Sequence, residues 1–544
     1  MKKSFYLGFL LLGICWVVSF YPQILPDGLS VSALRMVGVT GCISIFWLAQ
    51  TMPIGATSLM PIFLLPLLEI MPAKTVASSY GSNIILLFMT GFFIAKAIER
   101  WGLHRRISLH IIKAIGTSEK RLILGFMVAT AALSMWISNT ACCLMMLPIA
   151  VAAIEQFKLV EPDKNIIKNF ATCLMLSIAY AANIGGLGTP IGSSSNIIFL
   201  ANFAEFFPDR PGISFLQWIV VSIPLVVVFL FLTWLYLVYG SPVKIAENKK
   251  SKQNTIPNSS GNNNYQNQNI VDDNLTSSSS QTNRSINTGS SVTTVVKERV
   301  KSNIIEKAIA NLGEMSAAEK YVAILFAAVA ILWIFLSDLT IGSFTIPGWS
   351  SQLGLEDFVR NTTVAAAIAF IMFAIPVKTK QGEKTYLLDW ETANQIPWDI
   401  LLLFGAGVAI SKGFSTSGLS DFLTANLSVV LQNTPLFVTI ITVSIFVAIL
   451  TELASNTAIS LLMIPICASV APAIGIDPLI LMWTAIKALK CTFCLPVATP
   501  PNAIVYSQKY FSIATMTQVG LFLNVIGIIL ISLTMIFIAV PIFS

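Results

Sequence analysis

The chain of 544 residues carries a formal net charge of +7 at pH 7, and 55% of its residues are hydrophobic while only 11% are charged. Soluble domains contain roughly 25% charged residues, so this composition excludes an ordinary soluble protein and indicates a polytopic membrane protein. Because the Lys and Arg residues lie in connecting segments rather than on one basic face, the positive charge predicts no nucleic-acid partner.

Apolar segments that approach or exceed the length needed to cross about 30 Å of hydrocarbon recur along the chain. The clearest occupy residues 4–25, 215–239 and 519–542, and two shorter ones occupy 321–336 and 435–450. The first follows Lys2 and Lys3, and no small-residue cleavage site comes after it, which predicts a retained first helix rather than a signal peptide.

Two copies of one sequence pattern indicate an internal duplication. Residues 138–150 (SNTACCLMMLPIA) recur at 455–467 (SNTAISLLMIPIC) with eight identities, and residues 83–103 match 399–419 at nearly the same displacement. The first copy carries seven Lys and Arg residues between positions 96 and 121, whereas the equivalent stretch of the second holds only Lys412. Opposite charge bias predicts opposite orientation in the bilayer, and therefore two inverted-topology repeats.

A short glycine-containing segment precedes the Ser-Asn-Thr motif in each copy. Residues 83–97 contain Gly91, and residues 399–411 contain Gly405 and Gly407. Both segments are too short to span, so we interpret each as an arm of a re-entrant hairpin that leads toward its motif. A buried core helix is the alternative interpretation.

Residues 258–287 differ from the rest because they are rich in Asn, Ser, Thr and Gln and cannot bury a core. Basic residues flank this segment on both sides, which predicts that it and the N-terminus are cytoplasmic. We divide the chain into N-terminal scaffold helices (1–80), first transport elements (81–240), a low-complexity loop (241–317), further scaffold helices (318–397) and second transport elements (398–544).

A second polar block follows each Ser-Asn-Thr motif. The blocks are GGLGTPIGSSSN at 185–196 and LPVATPPN at 495–502, and their proline and glycine residues free backbone groups in mid-membrane. Neutral carbonyl, Ser, Thr and Asn oxygens suit Na⁺, while N–H groups at the start of half-helices favour a carboxylate. Polar residues that only join neighbouring helices are the alternative.

These strings resemble the divalent anion/sodium symporters, the Na⁺-coupled di- and tricarboxylate and sulfate carriers. The most specific string is LPVATPPNAIV at 495–505. The resemblance extends to nearly the whole chain except the low-complexity segment, and it includes MPIGATSLM at 52–60, WGLHRR at 101–106 and NVIG at 524–527. The resemblance implies an all-α polytopic homodimer in a plasma or inner membrane. Each protomer would have two inverted repeats, about 11 transmembrane helices and two re-entrant hairpins, and would work as an elevator-type transporter within its membrane lipids.

The resemblance also implies ligands, with Na⁺ as the coupling ion and no prosthetic group. One Na⁺ would be held in the first repeat and one in the second, with these residues: Ser134, Ser138, Asn139 and the Gly192 carbonyl; Thr451, the Ala454 carbonyl, Asn456 and the Ala498 carbonyl. The carboxylates of the substrate would contact Asn139, Thr140, Ser193, Asn456, Thr457, Thr499 and Pro500.

Lys487 and Lys490 depart from the family pattern. A buried lysine near a cation site could replace Na⁺ and convert a symporter into an exchanger. We favour the alternative that each lysine reaches an interface or pairs with an acid such as Glu452, which we interpret as a structural partner rather than a proton carrier.

The predicted function is Na⁺-coupled import of dicarboxylates of the succinate, malate and fumarate type, with citrate as a further substrate. The alternatives are a Na⁺-independent exchanger of dicarboxylates or other divalent anions, and a sulfate carrier of the same fold. The chain contains no HExxH or GxSxG motif and no paired intramembrane carboxylates, so we do not expect an enzyme.

Overall fold

The computed structural model describes residues 3–243, 305–341, 344–379, 381–431, 434–453 and 455–543. The predicted low-complexity segment 258–287 therefore lies outside the described residues, as does Ala454. The described part of the chain is dominated by α-helices, which confirms the predicted all-α polytopic architecture.

The α-helices of the first half lie between the N-terminus and the low-complexity segment. They are α1 (Lys3–Val18), α2 (Val31–Leu48), α3 (Ile54–Thr57), α4 (Met60–Leu67), α5 (Ala73–Tyr80), α6 (Asn83–Arg100), α7 (Leu103–Ile115), α8 (Glu119–Ser134), α9 (Asn139–Val160), α10 (Lys164–Gly185), α11 (Ser194–Phe206) and α12 (Phe215–Leu235).

The helices of the second half are also a mixture of long and short ones. They are α13 (Ala317–Ile334), α14 (Trp349–Gln352), α15 (Asn361–Ala374), α16 (Trp390–Ala393), α17 (Trp398–Ser417), α18 (Leu419–Leu431), α19 (Leu436–Leu453), α20 (Asn456–Ala473), α21 (Pro478–Ala488), α22 (Pro500–Ser507), α23 (Ile513–Thr534) and α24 (Val540–Phe543). The described strands form two antiparallel hairpins: β1 (Leu339–Ile341) with β2 (Phe344–Ile346), and β3 (Pro376–Lys378) with β4 (Lys384–Tyr386).

Ten helical segments within the described residues are long and apolar enough to cross a membrane. They include Ala73–Arg100, which comprises α5 and α6, and Trp398–Ser417, which is α17. The glycine-containing helices α6 and α17 are therefore both longer than the sequence analysis predicts. The reason is that Gly91, Gly405 and Gly407 continue the helix instead of interrupting it. A glycine in a helix costs only about 1 kcal/mol relative to Ala, which packing between neighbouring helices readily offsets.

The centre of the molecule is formed by helices that are buried on every side. In α10 every residue from Phe170 to Gly185 is buried, and α17 is covered to a similar extent. By contrast, most residues of α13 and of Ile513–Phe543 are at least partly exposed, as expected of helices that face lipid. The central position of α10 brings its C-terminal end, and the polar block that follows it, into the interior of the protein.

Candidate functional site

Both Ser-Asn-Thr motifs lie at the first turns of long helices. Helix α9 begins at Asn139 and α20 begins at Asn456, each directly after the serine of its motif. Ser138 Oγ accepts a hydrogen bond from the Ala141 N–H at 3.2 Å, whereas Ser455 makes no such cap. Two helix N-termini, with their free N–H groups and partial positive charge, therefore point into the interior, where they favour an anion.

A hydroxyl group one turn before each motif bonds to the motif asparagine. Ser134 Oγ donates to Asn139 Oδ1 at 2.6 Å, and Thr451 Oγ1 donates to Asn456 Oδ1 in the same way. Both hydroxyl residues are fully buried. The duplication seen in the sequence therefore extends to individual hydrogen bonds at equivalent positions.

The polar blocks form two loops of matching geometry, which we call the first polar loop (residues 185–196) and the second polar loop (residues 491–502). Asn196 Nδ2 donates to the Gly186 and Thr189 carbonyls at 2.8 and 2.9 Å. Asn502 Nδ2 donates to the Thr492 and Leu495 carbonyls at 2.8 and 3.0 Å. In each loop one asparagine thus fixes the non-helical backbone that proline and glycine create.

Glycine is required in the first polar loop because two segments of its backbone approach each other closely. A Cβ atom on Gly192 would lie 2.9 Å from the Gly186 carbonyl oxygen, and one on Gly186 would lie 3.0 Å from both Asn139 Oδ1 and the Gly192 carbonyl oxygen. The absence of side chains lets the Gly186, Gly192 and Asn139 oxygens converge. In the second polar loop Ala498 aligns with Gly192 and Thr492 with Gly186, so the two loops differ in how closely their backbone packs.

A cavity of about 320 Å³ lies between the two motifs and the two polar loops. All seven residues predicted to contact the substrate line it: Asn139, Thr140, Ser193, Asn456, Thr457, Thr499 and Pro500. Of the predicted Na⁺ ligands, Ser138, Asn139, Gly192, Asn456 and Ala498 line the same cavity. Ser134 and Thr451 lie behind it and reach it through the motif asparagines. Residues that are more than 300 positions apart in sequence are therefore brought together around one space.

The oxygens that converge at this cavity fit Na⁺. The Ser134 hydroxyl, the Asn139 amide oxygen and the Gly192 carbonyl are neutral, hard donors. Neutral oxygens suit a monovalent alkali ion, whereas divalent and transition metals prefer carboxylate, imidazole or thiolate ligands. No group of three or more His, Cys, Asp or Glu side chains among the described residues could hold such a metal. The assignment of individual Na⁺ ligands stays a prediction.

The prediction for the two unusual lysines is wrong. Lys487 is 1% exposed and Lys490 is 3% exposed, so neither side chain reaches an interface, and neither pairs with Glu452. The Lys487 ammonium donates to Ser222 Oγ at 2.6 Å and to the Leu187 carbonyl at 3.1 Å, and it lies 4.2 Å from the centre of the Trp218 ring.

The Lys490 ammonium has a different environment, because it donates to Ser193 Oγ and lines the cavity. Long lysine side chains usually extend to water, but Lys487 lies in the last turn of α21, whose residues are all buried, and Lys490 lies two residues beyond its end in an equally buried position. The length of the side chain therefore does not suffice to reach the surface from this position.

Glu452 is a structural partner, as the sequence analysis predicts. Its carboxylate accepts hydrogen bonds from the Cys494 and Leu495 N–H groups at 2.9 and 3.2 Å and from Asn524 Nδ2 at 2.7 Å. The two backbone bonds hold the second polar loop, and the third ties Glu452 to α23. The Glu452 carboxylate therefore fixes the backbone of this loop.

Asn183 is a site residue that the sequence analysis missed. It is buried in α10, lines the cavity, and its Nδ2 donates to Thr499 Oγ1 at 3.2 Å and to Asn502 Oδ1 at 3.4 Å. It thus links the first repeat to the second polar loop. The signal was present in the sequence, because Asn183 is the one amide side chain in the apolar stretch from Phe170 to Gly185, where an unpaired polar group would be costly.

Known proteins resemble this chain along almost its whole length. A family model described as the sodium:sulfate symporter transmembrane region matches residues 2–543. The chain is 35% identical over 520 residues to the sodium-dependent dicarboxylate transporter SdcS of Staphylococcus saprophyticus, an alignment that covers 95% of this chain and 88% of that protein. It is 36% identical over 527 residues to SdcS of Staphylococcus aureus, with coverage of 96% and 88%.

The crystal structure of the Alcanivorax borkumensis YdaH transporter aligns with 86% of this chain and 88% of its own, at 12% identity and a TM-score of 0.49, a likeness too distant to support an argument. The family match spans almost every residue, and it includes the two motifs and the two polar loops that enclose the cavity. The chain therefore belongs to the sodium:sulfate symporter family, and it is a membrane transporter rather than an enzyme.

Proposed function

We propose that this protein imports C4-dicarboxylates such as succinate across a membrane together with Na⁺. The observation that carries the proposal is that one cavity is lined by polar residues of both repeats, and that two helix N-termini start at its wall. A dicarboxylate has two anionic ends. Each end can accept hydrogen bonds from one Ser-Asn-Thr motif and the polar loop beside it.

The neutral character of the motifs explains a need for Na⁺. Two carboxylates that leave water require compensating charge, and helix N-termini supply only partial charges of about half a unit each. Sodium ions held by Asn139 and Asn456 would supply the missing charge next to the substrate. Relatives named sodium-dependent dicarboxylate transporters support this coupling.

The test is uptake into proteoliposomes that contain the purified full chain. We expect saturable uptake of labelled succinate that is driven by an inward Na⁺ gradient and stops when choline replaces Na⁺. Citrate and sulfate are tested in parallel, because the same fold could carry either anion. Uptake of sulfate without succinate uptake would contradict the dicarboxylate assignment.

A Na⁺-independent dicarboxylate exchanger is the second candidate, because Lys487 and Lys490 place two buried ammonium groups beside the first polar loop. A fixed positive charge can replace a coupling ion. The exchanger would take up labelled succinate only into liposomes preloaded with unlabelled succinate, with or without Na⁺. Symport requires the Na⁺ gradient and no preloading, so one set of vesicles separates the two.

The wider organisation follows from the same proposal. We infer that the protein forms a homodimer in which residues 1–80 and 318–397 serve as scaffold, while residues 81–240 and 398–544 move the site across the membrane. The N-terminus and the segment 241–317 would be cytoplasmic, and the membrane would be a plasma or inner membrane. The charge difference between the repeats supports the orientation.

A further inference from the structure

Lys490 stands out because it is the only basic side chain among the described residues that line the cavity. Its side chain is 3% exposed, and its ammonium donates to Ser193 Oγ. Ser193 is itself one of the residues predicted to contact the substrate. The ammonium group therefore lies at the wall of the cavity, next to a hydroxyl group that would contact a carboxylate.

The charge of Lys490 has no carboxylate partner in the described part of the chain. Asp399 also lines the cavity, but it is exposed and forms no ion pair with Lys490. The Glu452 carboxylate is engaged by two backbone N–H groups and Asn524. A buried ammonium group whose main contact is one neutral hydroxyl is poorly compensated, and an anion in the cavity would supply the missing charge.

We propose that the Lys490 ammonium is a further substrate ligand, which binds one carboxylate of the dicarboxylate together with Ser193 Oγ. The proposal rests on the function assigned above to this cavity, but it holds for symport and for exchange. A charge-assisted hydrogen bond is roughly twice as strong as a neutral one. Lys490 therefore favours substrates with a second carboxylate over monocarboxylates of the same length.

Equilibrium binding of labelled succinate to the purified full chain, at saturating Na⁺, tests the proposal. Two neutral variants are measured: Lys490→Met, which keeps most of the side-chain length, and Lys490→Ser, which leaves room for water. We expect both to bind succinate at least about 10-fold more weakly than the wild type, a loss equal to about 1.4 kcal/mol. Lys490→Arg keeps the charge and should restore binding to within about threefold.

The matched control is Lys412→Met, because Lys412 is paired with Glu205 at 3.3 Å and does not line the cavity. It should bind succinate as the wild type does. Competition by butyrate gives a second readout. The preference for succinate over butyrate should fall in both neutral variants, since butyrate lacks the second carboxylate, whereas a purely structural role of Lys490 would weaken both ligands equally.

The outcomes separate this inference from the proposed function. If the wild type binds no succinate, the dicarboxylate assignment itself fails. If the wild type binds succinate and both neutral variants bind within about twofold of it, or if Lys412→Met loses as much, Lys490 is not a ligand. Thermal unfolding is recorded for every variant. Failure of both neutral variants to fold, while Lys490→Arg folds, would assign the lysine a structural role and overturn the proposal.

Discussion

The two polar loops share their asparagine hydrogen bonds, but two lysines contact the first loop and one glutamate contacts the second. Two ammonium groups support the first polar loop, since Lys487 donates to the Leu187 carbonyl and Lys490 to Ser193 Oγ. One carboxylate supports the second polar loop, since Glu452 accepts from the N–H groups of Cys494 and Leu495. The asparagine that spans each loop makes the same pair of bonds in both.

This difference shows that duplication conserves shape more strictly than charge. A loop that leaves the helix exposes both carbonyl and N–H groups, so either a cation or an anion can satisfy it. Whether the partner is a cation or an anion determines the electrostatic field in the adjoining cavity. Lys490 places a basic group at the cavity wall beside the first polar loop, whereas the Glu452 carboxylate is engaged by backbone N–H groups of the second polar loop and by Asn524.

The largest expected effect tests what the repeats share. Asn139→Ala and Asn456→Ala each remove an amide that is predicted to contact both Na⁺ and carboxylate, at a cost of at least about 1–3 kcal/mol per lost contact. We expect each variant to abolish Na⁺-driven succinate uptake in proteoliposomes while the protein stays folded. Asn426→Ala, at an exposed position, is the control. Full uptake by both cavity variants would refute a site that is shared between the repeats.

A smaller effect tests the support of the second polar loop. Glu452→Gln removes the charge from an acceptor of three hydrogen bonds and should lower the free energy of unfolding by about 1.5–3 kcal/mol. Thermal unfolding in detergent measures the change. The control is Glu155→Gln, because Glu155 forms an exposed ion pair with Lys158 that contributes little. Equal stability of the two variants would show that the carboxylate does not support the loop.

Substitutions at Gly192 and Ala498, which occupy equivalent positions in the two polar loops, test the difference in backbone packing. Gly192→Ala would place a methyl group 2.9 Å from the Gly186 carbonyl oxygen, and overpacking of this kind costs about 1–3 kcal/mol. We expect a higher Na⁺ concentration for half-maximal uptake and a lower melting temperature. The reverse change, Ala498→Gly, should cost less, about 0.5–1 kcal/mol. A larger loss from Ala498→Gly would contradict the closer approach in the first loop.

The last prediction concerns the orientation of the two repeats in the membrane, and its substitutions should leave transport unchanged. Arg105 and Asn426 occupy exposed positions on α7 of the first repeat and α18 of the second, and all eight native cysteines are buried. If the repeats are inverted, Arg105→Cys should react with an impermeant thiol reagent only from the cytoplasm, and Asn426→Cys only from outside. Labelling of both from one side would refute the inverted arrangement.

Much of the fold and the site could be predicted because the duplication repeats polar residues in an apolar background. The identities between the two Ser-Asn-Thr copies locate both halves of the cavity, and the proline and glycine residues locate the loops. Helix length was harder to predict, since Gly91 and Gly407 can either end a helix or continue it. Tertiary packing decided this in favour of continuation.

The directions of Lys487 and Lys490 could not be derived from local sequence. Their partners, Leu187, Ser193 and Ser222, lie roughly 265–300 residues away along the chain. A lysine with four rotatable methylene bonds can reach in many directions, and only the folded neighbours select one of them. Asn183 was missed for a related reason, because its partners Thr499 and Asn502 belong to the other repeat.

The Asn183 bridge has a thermodynamic consequence for coupling. Its amide belongs to the first repeat and donates to two residues of the second polar loop, so a shift of that loop disturbs a bond held by the first repeat. If a bound ligand shifts that loop, its occupancy of one half of the proposed site would change the binding free energy of the other half. Linkage makes this effect reciprocal: a ligand that tightens its neighbour is itself tightened by the same factor. The proposed Na⁺ and dicarboxylate would therefore bind and dissociate cooperatively rather than independently.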